Sequence, residues 1–167
     1  MNASVRSDIF KTNNLVENFG EVLTNLFRPL FRVSIDPSSD PELDAFLQYV
    51  IGFDSVDDES KSENPMLDRD TVPPHLWNHK ENPPYAYYLY YMYANMCTLN
   101  KLRQSRGLKT FVLRPHCGEA GAIQHLVAGY MLADNISHGL LLRKTPVLQY
   151  LYYLAQVKIY FAKMSCI

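Results

Sequence analysis

Apolar positions along the 167 residues fall into alternating patterns. In Leu15–Phe31, Leu15, Phe19, Leu23, Leu26, Phe27 and Leu30 recur at helical spacing, with Pro29 expected to distort or end the helix. After "DPSSDP", Asp40 is placed to cap a helix, Pro41 suits its first turn, and Leu43, Phe46, Leu47 and Val50 follow on one face. Tyr49–Phe53 is a short apolar run, read as a strand, and it stops in the acids Asp54, Asp57, Asp58 and Glu59. A long proline-rich excursion covers 61–84; loops of that length are often functional or disordered. Tyr85–Arg106 is the longest helical pattern, aromatic nearly all round and therefore expected to be buried on more than one side, with Gly107 as its C-cap. A strand over Thr110–Arg114, a helix over Ala122–Leu132, a very short strand at "NISHGL" and a helix capped by Thr145, with Pro146 in its first turn, complete the series.

Helix–strand alternation of this kind predicts parallel strands with helical crossovers, an α/β chain. Three predicted strands end beside polar groups: Asp54, His116 and His138. In a (β/α) barrel all such ends share one face, and that face carries the active site.

Composition narrows the reading. Apolar residues at 47% and charged residues at 20% suit one globular domain, and with a net charge of −1 nothing argues for nucleic acid or an anionic membrane as the main partner. No apolar stretch is long enough to span a bilayer and no signal-peptide pattern opens the chain. The cysteines Cys97, Cys117 and Cys166 lack framework spacing and fit a reducing compartment, so the expected location is cytoplasmic.

The chemistry converges on "RPHCGEAG", 114–121. A neutral imidazole is a common zinc ligand, and zinc lowers the pKa of bound water toward neutrality. A carboxylic acid can protonate a leaving group or a ring nitrogen, and a second histidine can orient or deprotonate the water. His116, Glu119 and His138 supply one candidate for each role. Plainer readings stand beside these. His116 can cap a strand end, Glu119 can favour the N-terminus of the next helix, His138 can be a turn residue, and the acids at 57–59 can be a solvated loop. His75, His79 and His125 read as surface or packing residues. Cys117 adjoins His116 on a strand, so the two side chains point apart and do not share an ion.

Five segments resemble the AMP deaminase family in order and at family spacing: "GFDSVDDESK", "NPPYAYYLYYMYANM", "RPHCGEAG", "NISHGLLLRK" and "PVLQYLYYLAQ". The resemblance runs from about Asp8 to Val157. It implies a zinc-dependent (β/α)8 TIM-type barrel that hydrolyses AMP to IMP and ammonia and assembles as homo-oligomers. It makes His116 a zinc ligand, Glu119 the acid for the purine ring, and His138 the group that holds and deprotonates water. Asp54 and Asp57 are placed near the base. The family's HxH pair and STDDP motif, which bring its other three zinc ligands, are absent here, and after Gln156 the chain diverges. The expectation is one partial catalytic domain, roughly the middle βα units, over 1–167, with divergent ends at 1–7 and 158–167 and no activity alone. The alternative is a non-catalytic fragment that binds full-length subunits, favoured if "KIYFAKMSCI" packs as a strand.

Overall fold

The computed structural model describes residues 2–4, 7–56, 58–61 and 70–160. In chain order the elements are β1 (Asn2–Ser4), α1 (Ser7–Thr12), α2 (Phe19–Ile35), α3 (Pro41–Leu47), β2 (Gly52–Val56), α4 (Tyr85–Ser105), β3 (Val112–Leu113), β4 (His116–Cys117), α5 (Gln124–Leu132), β5 (Asn135–His138), α6 (Pro146–Leu154) and β6 (Lys158–Tyr160). Every strand pair is parallel. β1, β2 and β3 form one three-stranded sheet, and β4, β5 and β6 form another. The two are joined through β3 and β4, which follow each other with only Arg114 and Pro115 between. Pro115 has no N–H to give to a ladder, yet its carbonyl accepts from Ser137 N at 2.9 Å, and Arg114 N donates to Phe53 O at 2.8 Å. Pairing therefore passes from β2 to β5 across this one stretch of chain.

The helical expectations hold with shifts that have local causes. α2 begins at Phe19, because Asn18 caps it with Oδ1 accepting from Glu21 N at 3.0 Å, while Glu21 Oε2 accepts from Glu17 N at 2.7 Å, one residue before the cap. Leu15 lies outside the helix and is 66% exposed. Pro29 neither ends nor breaks α2, which runs on to Ile35. Pro29 and Asn25, whose carbonyl loses its helical donor, are both on the exposed side, where water can serve that carbonyl. α3 starts as expected, with Asp40 Oδ1 accepting from Leu43 N. Thr145 does precede α6, but its side chain makes no cap bond to that helix; its hydroxyl donates backwards to the carbonyls of Leu142 and Leu141.

α4 is the central post. Tyr85, Tyr88, Leu89, Met92, Met96, Leu99 and Arg103 are buried along it, and Tyr87 packs against Phe19 and Trp77. Burial does not extend all round, since Tyr90 remains 52% exposed. The strands face the helices with Phe53, Leu113, Cys117 and Ile136, all buried in one core. Part of the proline-rich excursion is ordered packing: Trp77 is buried, its carbonyl accepts from Phe19 N, and Tyr87 Oη donates to Val72 O. Arg103 is buried as well, donating to Lys109 O at 2.6 Å and Ser34 Oγ at 2.8 Å, and lying 4.4 Å over the Phe111 ring. No helix among the described residues is long and apolar enough to cross a membrane.

Candidate active site at the strand ends

Side chains alternate along a strand, so the neighbours of the buried Phe53 and Cys117 turn to the opposite side. Those neighbours are Asp54 and His116. Asp54 Oδ1 lies 2.8 Å from His116 Nδ1. The pairing differs from expectation in one respect: Asp54 sits within β2 and His116 within β4, not just beyond the strand ends. The parallel ladders extend further than the apolar runs, because β1 pairs with β2 as far as Val56 and His116 is in register with Ser137.

The hydrogen bond to Asp54 raises the pKa of His116 above its ordinary value and outweighs burial, which acts the other way. Tyr85 Oη fixes the same strand from the helix side by donating to His116 O at 2.8 Å. Cys117 points away, as its neighbour's orientation requires. Its thiol donates to His125 O, and burial pushes its pKa up to about 12.

His138 ends β5 with φ +76°, a left-handed backbone rare for a side-chain-bearing residue, and Gly139 follows at φ +63°. Such strain is concentrated at functional sites. The turn places the His138 ring 4.8 Å from that of His116, and its Nε2 3.5 Å from Glu119 Oε2. Gly139 N donates to Cys117 O at 2.9 Å and Leu141 N to Gly118 O at 2.9 Å, which ties the two strand ends together. Asp54, His116, Glu119 and His138 thus form one chain of contacts at the C-terminal ends of three strands. Asp57 lies outside the described residues.

Two residues read as bland in sequence belong to the support of this site. Glu59 is buried, not solvated, and accepts from the backbone of the 118–121 turn. His125 is buried, 4.0 Å from Glu59 and stacked 4.3 Å from Tyr85. The one sequence signal for Glu59 was its position next to a strand end; nothing in the local pattern separated it from its acidic neighbours.

An imidazole whose Nδ1 is held by a carboxylate is a common arrangement for a metal ligand. Among the described residues, however, no three His, Cys, Asp or Glu side chains gather to hold a metal. His116 fits one corner of a tetrahedral zinc site, and this group does not supply the others.

The fold and site define a parallel α/β protein with an acid–base cluster at its strand ends. Residues 5–166 match the family described as AMP deaminase. The chain is 59% identical to mouse AMP deaminase 3, 52% identical to human AMP deaminase 1 and 55% identical to the AMP deaminase of Saccharomyces cerevisiae, each over 95% of this chain. It belongs to the AMP deaminase family. It spans about a fifth of the length of these relatives, 21% of the mouse and human proteins and 19% of the yeast one.

Proposed function

We propose that this chain carries part of the catalytic face of a zinc-dependent AMP deaminase, within a (β/α)8 barrel. The observation that carries the reading is the convergence of Glu119 and His138, 3.5 Å apart, beside the His116–Asp54 pair. Hydrolytic deamination needs a proton for the purine ring nitrogen, a deprotonated water for the adjacent carbon, and a proton for the departing ammonia. Glu119 as a carboxylic acid serves the ring nitrogen, and His138 takes the proton of the water. Their contact gives a path by which a proton moves between them. His116 would present Nε2 as one zinc ligand while Asp54 holds Nδ1, and the other ligands of such a zinc are not among the described residues. Asp54 and Asp57 lie toward the base in this reading. AMP is the substrate, the protein is cytoplasmic, and the family's homo-oligomers are its natural setting.

A second reading rests on β6. Lys158–Tyr160 pairs in parallel with β5, while the remainder of "KIYFAKMSCI", 161–167, lies outside the described residues. The pairing favours a stable non-catalytic fragment able to bind full-length AMP deaminase subunits.

The deciding experiment is conversion of AMP to IMP by the purified chain with added zinc. The expected result is no turnover by this chain alone; turnover that Glu119→Gln abolishes would instead show that the chain completes its own site. A folded chain that fails to turn over AMP, but co-elutes with full-length subunits in size-exclusion chromatography, establishes the second reading instead.

A further inference from the structure

Glutamate is seldom buried without a dedicated partner, because removing a carboxylate from water is costly. Glu59 is only 8% exposed. Its Oε2 accepts from the backbone N–H of Glu119 at 3.1 Å and of Ala120 at 3.5 Å. Two consecutive N–H groups converging on one anion form a nest. Its Oε1 has no hydrogen-bond partner among the described residues. The hydrogen bonding of this carboxylate is thus directed at the 118–121 turn.

The two loops also interlock through their backbones. Gly118 and Gly121 both have φ +73°, and a Cβ at Gly121 would overlap the carbonyl oxygen of Glu59. The nearby acid Asp58 does something different: it is exposed and accepts from Ser60 N within its own turn. Glu119 itself has little to fix it, with its side chain 52% exposed and its Oε2 3.5 Å from His138. Its direction is therefore inherited from its backbone.

We propose that Glu59 is a positioning residue, which sets the Glu119 carboxylate against His138 by clamping the N–H groups of Glu119 and Ala120. The proposal rests on the deaminase reading for the role of Glu119, while the clamp itself is independent of it. A nest holds an anion best, so the charge of Glu59 matters as well as its shape.

The test compares Glu59→Ala and Glu59→Gln in the 167-residue chain by amide hydrogen exchange and NMR. In Glu59→Ala, protection at Glu119 and Ala120 should fall roughly tenfold, the scale of one lost charge-assisted bond, with Met92 and Leu99 of α4 unchanged. Glu59→Gln keeps an acceptor oxygen and should restore most of the protection, while moving both amide proton resonances upfield. Unchanged protection at the two amides, or an equal loss throughout α4, overturns the clamp. If Glu59→Ala does not fold, Glu59→Gln decides alone: resonances left in place overturn the proposal. Should the chain turn over AMP, Glu59→Ala would lower kcat with KM little changed, and Glu59→Gln would recover part of it. A wild-type chain that does not deaminate AMP by itself, as expected of a partial domain, leaves the exchange result alone to judge the clamp.

Discussion

The carboxylate of Asp54 on β2 and Nδ1 of His116 on β4 are 2.8 Å apart, both largely withdrawn from solvent. The hydrogen bond favours the imidazolium, and burial opposes it less strongly. A histidine whose folded pKa is raised stabilises the fold fully below its unfolded value, about pH 6.5, and that contribution is lost as pH rises through the folded pKa. In chelator-treated chain, Asp54→Asn should lower the His116 titration midpoint seen by NMR, because burial remains when the charged acceptor is gone. It should also flatten the loss of stability above pH 6.5. An unmoved midpoint would show that the pair does not control this imidazole.

Gly121 and Gly107 have nearly the same backbone, φ +73° and φ +69°, in opposite surroundings. At Gly107 a Cβ would meet nothing within 4 Å, so Gly107→Ala should cost only the left-handed penalty of about 1 kcal/mol. At Gly121 the same methyl group collides with the Glu59 carbonyl, and Gly121→Ala should cost about 3 kcal/mol or more. Urea unfolding of both variants checks the contrast, and equal losses would refute it.

Arg103 joins α4 to α2 and to the chain before β3 through its bonds to Ser34 Oγ and Lys109 O. Arg103→Met keeps much of the volume but leaves both acceptors without this donor. Each bond from a charged donor is worth about 1.5–3 kcal/mol, so a total loss of roughly 3–6 kcal/mol is expected by denaturant midpoint at unchanged slope. A loss under about 0.5 kcal/mol, typical of surface changes, would mean that water replaces the guanidinium freely.

The cysteines should separate by reactivity. Cys97 is exposed, whereas the Cys117 thiol is buried with a pKa pushed up to about 12, leaving roughly one thiolate in ten thousand at pH 8. In a Cys166→Ser background, iodoacetamide at pH 8 should modify Cys97 promptly and Cys117 only after denaturation. Rapid double labelling of native chain would contradict the burial of the strand face behind His116.

The alternation of helices and strands was legible in the sequence because amphipathic periodicity and turn residues are local signals. So were His116, Glu119 and His138, which stand where apolar runs stop. What was not legible depends on distant partners. β1 and β6 are three residues each and take their pairing from β2 and β5. The start of α2 was misplaced because Leu15 continues the apolar stripe, although Asn18, a good capping residue, marked the true boundary. Glu59 looked like one more acid in a charged loop, and only the arrival of the 118–121 turn gives it a buried role.

Asp54–His116 and Glu59–Glu119 join residues 62 and 60 positions apart in the chain, respectively. Closing a flexible loop of that size costs about 4 kcal/mol in chain entropy, which contacts within α4 do not have to overcome. The two bridges enclose nearly the same loop, so whichever forms first brings the other's ends together. Ion pair and clamp are in this sense one closure event, and loosening either removes support from both.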